Sequence, residues 1–384
     1  MLRVLFAVDH VEGITGPHRN VVSSLNALAR RDDVQVKLLT GKVDTSEPWY
    51  RSGRVELLQG LEPKAPARLW TNLAMFRAAS TDCDLIYVPT NLSTFLLAQS
   101  VWPRRPFVAG PNVARLPLGK LDAPGTIELS LCDRWLEASD SRRDHVLRWT
   151  NRADRVVRVH HAIDNVKFSP AHRDTSVWKH HKISETTLKL TFVGRDDAER
   201  KGLPQLLDAV ELLNSKRRDF ELVLIGRMGG ATLERIGRMP NAHSLGFQSG
   251  NELPRLVASS DVVVVPSSWE NMPFVVLEAM ASGVAIVASK TGGIPEQVNP
   301  ATNSGILVDL LESPGQFAAD AGQRLADALA TALDSPTLRS QLGEGARNRA
   351  VNYFNEQRLG EELVQVFNET VALRGAQCSQ SARI

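Results

Sequence analysis

The sequence predicts an α/β protein with two doubly wound parallel sheets, that is, two Rossmann-like domains that face a cleft. Apolar runs of strand length alternate with segments of helical periodicity, which is the pattern of parallel strands covered by helices. This alternation occurs twice and is interrupted near residue 175 by a polar stretch. We therefore predict a first domain over residues 1–172, a second over 173–355, and a last helix with a tail over 356–384.

The composition is that of an ordinary globular protein, with 43% hydrophobic and 23% charged residues. No apolar run approaches the roughly 20 residues that span a bilayer, and the three cysteines fit neither a zinc nor a redox spacing. We expect a cytoplasmic location. The first 167 residues carry 23 Lys and Arg against 18 Asp and Glu, which leaves open a peripheral position at the inner face of the membrane. No nucleic acid partner is expected from so small an excess.

The first strand is predicted over residues 3–9, and a loop with Gly13 and Gly16 leads to a helix over 21–31. A strand, a glycine-containing loop and a helix in this order can hold a phosphate at the start of the helix, or form a plain tight turn. The loop lacks the G-x-G-x-x-G pattern, which argues against a dinucleotide site. Further strands are predicted over residues 34–40, 84–89 and 107–110.

A basic segment over residues 134–158 carries Trp135 and Trp149 among many arginines. Two interpretations stay open for this segment. It is either a surface that faces a membrane or an acceptor, or a solvated helical face with no partner.

The second series begins with a strand over residues 188–193 that ends in Gly194 and Arg195. Lys201 and Gly202 follow, ahead of a helix over residues 204–213. Later strands are predicted over residues 221–226 and up to residue 247, after which Gln248 begins the next turn. A short helix over residues 252–259 then leads to the most informative stretch of the chain.

This stretch, residues 261–283, predicts a strand, a loop and a helix. Four consecutive valines, residues 262–265, have the length and the β-branched character of a buried parallel strand. Pro273 suits the first turn of a helix, where its missing N–H costs nothing, and Gly283 stands where a helix commonly ends. Glu270 lies in the loop and Glu278 in the helix.

The predicted helix offers a binding site for an anion next to a carboxylate. The backbone amides of Phe274, Val275 and Val276 belong to the first turn, so they have no partner inside the helix and favour anions. Glu278 lies on the same face as Phe274, one turn further on, and a carboxylate among apolar residues needs hydrogen-bond donors such as sugar hydroxyls. The alternative is an ordinary strand–helix unit in which Glu278 is exposed and Glu270 is a loop charge.

Glu270 and Glu278, with LEAMASG around the second and a Gly-Gly-Ile-Pro-Glu run at residues 292–296, resemble the E-x7-E motif of retaining glycosyltransferases of family 4. The resemblance implies the GT-B fold, with the last helix crossing back onto the first domain. It implies a nucleotide-diphosphate sugar as co-substrate, with no metal and no cofactor. In that family retention is ascribed to attack from the front face, with the leaving phosphate taking the proton of the acceptor, so that no protein nucleophile is required.

The resemblance also implies roles for single residues. Arg195 and Lys201 match a pair that holds the donor diphosphate and stabilises its growing charge, and Glu270 would contact the donor sugar. Glu278 would accept hydrogen bonds from the ribose hydroxyls. The remaining donor-binding residues implied by the match are Gly16, Gln248, Phe274, Val275 and Val276.

The chain departs from the family pattern after the strand near residue 107. Family members commonly place there a histidine that contacts the donor sugar, whereas Asn112 stands near this position here. His10 and His18 are candidate substitutes. The departure leaves an alternative interpretation open, in which the protein is a degenerate GT-B protein that binds a nucleotide sugar or a partner glycosyltransferase. A further alternative with less support is an epimerase or a phosphorylase on the same fold. The sequence does not identify the base or the sugar of the donor, or the oligomeric state. It does not identify the hydroxyl acceptor either, which could be membrane-associated.

Overall fold

The computed structural model describes residues 1–8, 10–11, 16–60, 74–90, 105–111, 132–148, 150, 152–195, 199–248 and 250–381. It divides into two compact units, of which the first is Met1–Ala162 with Glu356–Ile384 and the second is Ile163–Asn355. The division lies before the predicted one at residue 172. The reason is that the segment after Ile163 is bound to the second unit, where Arg347 donates to the backbone oxygen of Asn165 at 3.1 Å.

The described strands of the first unit are β1 Leu2–Ala7, β2 His10–Val11, β3 Val34–Thr40, β4 Lys42–Val43, β5 Val55–Gln59, β6 Leu85–Val88, β7 Phe107–Ala109, β8 Arg134–Glu137 and β9 Val156–Arg158. Seven of them form one parallel sheet in the order β5-β3-β1-β6-β7-β8-β9. The short strands β2 and β4 pair with each other. The chain fills one side of β1 first and then returns to fill the other, so the winding reverses between β1 and β6.

The strands of the second unit are β10 Leu188–Val193, β11 Phe220–Ile225, β12 Ala242–Gly246, β13 Val262–Val265, β14 Ala285–Ser289, β15 Ile306–Val308, β16 Leu311–Ser313 and β17 Gln316–Phe317. Six of them form a parallel sheet in the order β12-β11-β10-β13-β14-β15, and β16 and β17 form an antiparallel hairpin. Here the winding reverses between β10 and β13. Two doubly wound parallel sheets are therefore confirmed.

The labelled helices are α1 Gly16–Ala29, α2 Pro48–Arg51, α3 Asp140–Leu147, α4 Val177–His180, α5 Leu203–Asn214, α6 Gly230–Ile236, α7 Glu252–Ala258, α8 Phe274–Ala281, α9 Ile294–Gln297, α10 Ala321–Asp334, α11 Pro336–Tyr353 and α12 Glu356–Ser381. A further helical segment covers residues 74–80. Gly16 is predicted in a loop but begins α1. The helix can start there because Pro17, in its first turn, lacks only an N–H that would have no partner inside the helix. Among the described helices, none combines the length and the apolar character needed to cross a bilayer.

The last helix, α12, is part of the first unit and packs on α1. Glu356, which is 3% exposed, accepts a hydrogen bond from the Asn26 amide at 3.1 Å and lies 2.8 Å from the guanidinium of Arg30. A Cβ on Gly360 would lie 2.9 Å from the backbone oxygen of Ala27, so this glycine permits the close approach of the two helices.

The two points at which the chain enters and leaves the second unit lie side by side. Ile163 forms a parallel β-bridge with Asn355, and its N–H donates to the backbone oxygen of Phe354 at 2.8 Å. Ile163 is the first residue of the unit and Asn355 the last. Backbone hydrogen bonding therefore joins the first and the last residues of the second unit.

Candidate functional site

The candidate site lies at the carboxyl ends of β10, β13 and β14, which are neighbours in the sheet of the second unit. Parallel α/β sheets bind ligands at this edge, where the winding direction reverses. The reversal in this unit falls between β10 and β13, and the loops after these two strands carry Arg195, Lys201 and Glu270. The topology therefore places the residues singled out from the sequence where a ligand is expected.

Glu270 and Lys201 form an ion pair across two of these loops. The Lys201 Nζ lies 2.5 Å from the Glu270 Oε1, and an Nη1 of Arg200 lies 3.4 Å from the same oxygen. Ser267 donates its hydroxyl to this oxygen at 3.0 Å. Burial alone would raise the pKa of Glu270, but the charges of Lys201 and Arg200 and these hydrogen bonds outweigh it and lower the pKa. The carboxylate is therefore ionised at neutral pH.

The loop that carries Glu270 is held from both sides. On the β10 side, Arg200 donates to the backbone oxygen of Trp269 at 3.2 Å and accepts from the N–H of Ser268 at 2.7 Å. On the β14 side, the hydroxyl of Thr291 donates to the oxygen of Ser268 at 3.1 Å. These ties fix the direction of the Glu270 side chain. Sequence reasoning missed Arg200, whose only signal was a second positive charge beside Lys201.

Two glycines allow these loops to approach one another. Gly202 has φ +67, and a Cβ there would lie 2.0 Å from the backbone oxygen of Pro266. Gly292 has φ +53, and a Cβ there would lie 1.8 Å from the oxygen of Glu270. Both positions combine a left-handed backbone with a contact that excludes a side chain.

The helix α8 begins immediately beyond this loop. Pro273 precedes it in an extended conformation, and the buried Gln297 donates its side-chain amide to the Pro273 oxygen at 3.1 Å. The amides of Phe274 and Val275 belong to the first turn, as predicted. The amide of Val276 differs from the prediction: it donates to the Pro273 oxygen at 3.2 Å, because the chain turns tightly as it enters the helix.

Glu278 is fully buried in α8, at 0% exposure, among apolar neighbours that are also buried. The alternative interpretation, in which Glu278 is exposed, is therefore wrong. Its burial follows from the position of α8, all but one of whose residues are buried. A buried carboxylate requires hydrogen-bond donors around it.

The other predicted donor residues lie on other segments of the chain. Arg195 directly follows β10 and Gly194 and is exposed. Gln248 follows β12, at the edge of the sheet, and donates its side-chain amide to the oxygen of Leu245 at 2.6 Å. Gly16 belongs to the first unit, at the start of α1. Among the predicted residues, Lys201 and Glu270 form an ion pair.

The candidate donor-sugar contacts are only partly described. Asn112 lies outside the described residues. His10 belongs to the short strand β2, and His18 lies half-buried in the first turn and a half of α1.

Several arginines of the basic segment have local partners. Arg142 lies 3.6 Å from the buried Glu137, and Arg152 lies 3.5 Å from Asp154. Arg155 donates to the backbone oxygen of Cys132 at 2.8 Å. Among its described residues the segment contains β8, α3 and β9, so an α-helical face is confined to Asp140–Leu147.

Residues 187–327 match the family model of the Glycosyl transferases group 1. The chain is 34% identical over 195 residues to the MMP alpha-(1→4)-mannosyltransferase of Mycolicibacterium hassiacum, a match that covers 50% of this chain and 45% of the relative. It is 30% identical over 258 residues to the D-inositol 3-phosphate glycosyltransferase of Salinispora arenicola, covering 62% and 55%. The chain thus spans about half the length of the curated relatives it matches.

The fold is also similar to that of a solved structure. The Anabaena HepE protein, solved in complex with UDP and glucose, aligns with a TM-score of 0.73 at 18% identity, over 96% of this chain and 100% of that one. At this identity the likeness concerns the fold alone. The protein has the GT-B fold, and residues 187–327 of its second unit match the Glycosyl transferases group 1 model.

Proposed function

We propose that the protein is a retaining glycosyltransferase that moves a sugar from a nucleotide-diphosphate sugar to a hydroxyl acceptor, in the biosynthesis of a glycan, a polysaccharide or a glycolipid. The observation that carries the proposal is the cluster of Lys201, Arg200 and Glu270, built at the winding reversal of a Glycosyl transferases group 1 domain. Relatives that bear the names of a mannosyltransferase and an inositol 3-phosphate glycosyltransferase support the same class of reaction.

In this proposal the cations act on the leaving group. When the bond between sugar and diphosphate breaks, negative charge grows on the diphosphate, and fixed cations that face it stabilise the transition state. Lys201 and Arg195 are the residues proposed for this task. The pair with Glu270 holds the Lys201 ammonium in place before the donor arrives, so little reorganisation accompanies the reaction.

The carboxylates would bind the two ends of the donor. Glu270 is ionised, held by Ser267 and Lys201, and proposed to accept hydrogen bonds from the donor sugar. Glu278 is buried in α8 and proposed to accept the ribose hydroxyls. The first-turn amides of Phe274 and Val275 would bind the sugar and the phosphate, and Gly16 and Gln248 would complete the donor site.

No protein nucleophile takes part in the proposed reaction. The acceptor hydroxyl attacks the anomeric carbon on the face from which the diphosphate leaves, and the departing phosphate oxygen takes the hydroxyl proton. The new glycosidic bond then has the configuration of the donor. The acceptor is proposed only as a hydroxyl compound, and a membrane-associated molecule would be compatible with it.

The test uses the full chain with UDP-glucose, GDP-mannose and ADP-glucose, and follows release of the nucleoside diphosphate. We expect release with one of them, with retention of the anomeric configuration in the product by NMR. Glu278→Gln should raise the donor KM at least roughly tenfold, since a hydrogen bond to a charged group is lost. The matched control is Glu234→Gln, a carboxylate of the same unit whose side chain is 70% exposed.

Binding of a nucleotide sugar without any release, in the presence of candidate acceptors, would instead indicate the degenerate binding protein. An inverted product would contradict the retaining mechanism. A Glu278→Gln protein with the donor KM of the wild type would remove the ribose role of Glu278.

A further inference from the structure

The carboxyl end of α8 is closed by hydrogen bonds to each of its last four carbonyls. The carbonyls of Glu278, Ala279 and Met280 accept from the N–H groups of Ser282, Val284 and Gly283, at 3.0, 3.1 and 3.0 Å. These three donors belong to the backbone that follows the helix. The fourth carbonyl, of Ala281, accepts instead from a side chain far along the sequence.

That side chain is Arg347 of α11. Its Nη1 donates to the Ala281 oxygen at 2.6 Å. A cation at the carboxyl end of a helix interacts favourably with the helix dipole, whose positive end lies at the first-turn amides. In α8 these amides are at Phe274 and Val275, at the carboxyl edge of the sheet. Arg347 therefore stabilises the helix from the end opposite to the candidate site.

The same nitrogen also holds the segment by which the chain enters the second unit. It lies 3.1 Å from the Asn165 oxygen, 3.3 Å from the Asn165 side-chain oxygen and 3.2 Å from the Phe168 oxygen. Burial lowers the pKa of the Arg347 guanidinium, and these oxygens offset the cost of placing the charge there. One guanidinium thus ties together α8, α11 and residues 165–168.

The packing around this contact leaves little freedom for α8 to shift. Gly283, just after the helix, has φ +68, and a Cβ on it would lie 3.0 Å from Pro170. A Cβ on Gly343 of α11 would lie 2.2 Å from the Gly283 oxygen. The end of α8 is therefore held between α11 and the residues that follow Ile163.

We propose that Arg347 is a positioning residue of the donor site: it fixes the place of α8, and through it Glu278 and the first-turn amides, without touching the donor. The inference rests on the proposed function for what α8 binds. Removal of Arg347 should weaken donor binding more than the loss of one hydrogen bond elsewhere in the unit.

A matched control is present on the same helix. Arg339, also in α11, donates from Nη1 to the oxygens of Ala332 and Leu333 at 2.9 and 2.7 Å, and so closes the carboxyl end of α10. The helix α10 begins at Ala321, and none of the proposed donor residues lies on it. Arg347→Met and Arg339→Met therefore remove the same kind of contact. The first removes it from α8, which carries proposed donor residues, and the second from α10, which carries none.

The experiment compares Arg347→Met, Arg347→Lys and Arg339→Met in the full chain. Amide hydrogen exchange over α8 is measured first in the protein without ligand, then the dissociation constants for UDP-glucose, GDP-mannose and ADP-glucose. We expect faster exchange in α8 and a roughly two- to tenfold rise in the dissociation constant for Arg347→Met, with partial recovery in Arg347→Lys, which keeps the charge. The Arg339→Met protein should lose a similar amount of thermal stability, but its amide exchange in α8 and its dissociation constants should equal those of the wild type.

Equal effects of Arg347→Met and Arg339→Met on the dissociation constant would overturn the inference, because Arg347 would then be a stabilising contact only. Unchanged exchange in α8 of the Arg347→Met protein would overturn it as well. If the wild type binds none of the three probes, the proposed function fails, and the exchange measurement alone then decides whether Arg347 positions α8.

Discussion

The ion pair between Lys201 and Glu270 can be tested by removing one charge at a time. Glu270→Gln keeps the shape of the side chain but removes the anion that the Lys201 ammonium and the Arg200 guanidinium face at 2.5 and 3.4 Å. Lys201→Met leaves the carboxylate with Arg200 and Ser267 alone. The double variant removes both charges of the pair and leaves Arg200, which is 39% exposed, as the remaining charge.

The expected costs follow from how far each abandoned charge can return to water. Breaking a fully buried pair costs about 3–5 kcal/mol. The Lys201 side chain is 22% exposed and that of Arg200 is 39% exposed, so Glu270→Gln should cost less, about 2 kcal/mol. The Glu270 side chain is only 9% exposed, so Lys201→Met should cost more, about 3 kcal/mol. The double variant should fall short of the sum by about 1–2 kcal/mol.

The assay is thermal or urea denaturation of the full chain. The unfolding transition that is recorded is the one whose midpoint shifts when a nucleotide sugar is added. A loss of about 2 kcal/mol corresponds to roughly 4–8 °C in Tm for a unit of this size. Glu234→Gln is the control, because Glu234 forms an exposed pair with Arg238, and it should cost less than about 0.5 kcal/mol. Single-variant costs that resemble the control and add up in the double variant would refute a buried, coupled pair.

Three further predictions concern pH, a glycine and the last helix. Burial lowers the pKa of the His161 imidazole from 6.5 to about 3. As the pH falls below 6.5, this imidazole is protonated in the unfolded chain but not in the folded one, so the free energy of unfolding decreases, by about 2 kcal/mol at pH 5. In the His161→Asn protein the denaturation midpoint should fall less between pH 7 and pH 5 than in the wild type. Gly292→Ala adds a Cβ 1.8 Å from a backbone oxygen and should lower Tm and donor affinity more than Gly250→Ala, whose φ is +61 with no atom within 4 Å. Glu356→Ala leaves the buried Asn26 amide without its acceptor and should cost about 1–3 kcal/mol in urea denaturation, with faster proteolysis of α12 as the second readout; unchanged proteolysis would contradict this.

Much of the fold could be predicted because the strand pattern is local. The valines at residues 262–265 form β13 with the predicted bounds, and the strand predicted over residues 188–193 is β10. The first residue of α1 was harder to predict from the sequence, since Gly16 and Pro17 suit a loop and a first helical turn equally well. The division between the units was placed too late because residues 163–172 have no periodicity that shows which core they join.

Two residues of the candidate site could be singled out from the sequence, but their contact could not. Lys201 and Glu270 were each singled out, yet their pairing joins residues 69 positions apart. It depends on β10 and β13 being neighbours, which strand patterns alone do not give. Arg347 carried no signal at all, because an arginine on a polar helix is ordinary until the Ala281 carbonyl is found beside it. Side chains that act through another element are visible only in three dimensions.

The β-bridge between Ile163 and Asn355 has a consequence for how such a protein can be recombined. Because the second unit starts and stops at paired residues, both junctions of a chimera with a relative would fall in one small piece of backbone. The pairing of Ile163 with Asn355 is one contact that a replacement unit has to reproduce. Gene fusion at these two positions is therefore the natural route to hybrids in which an entire unit is exchanged with that of a relative.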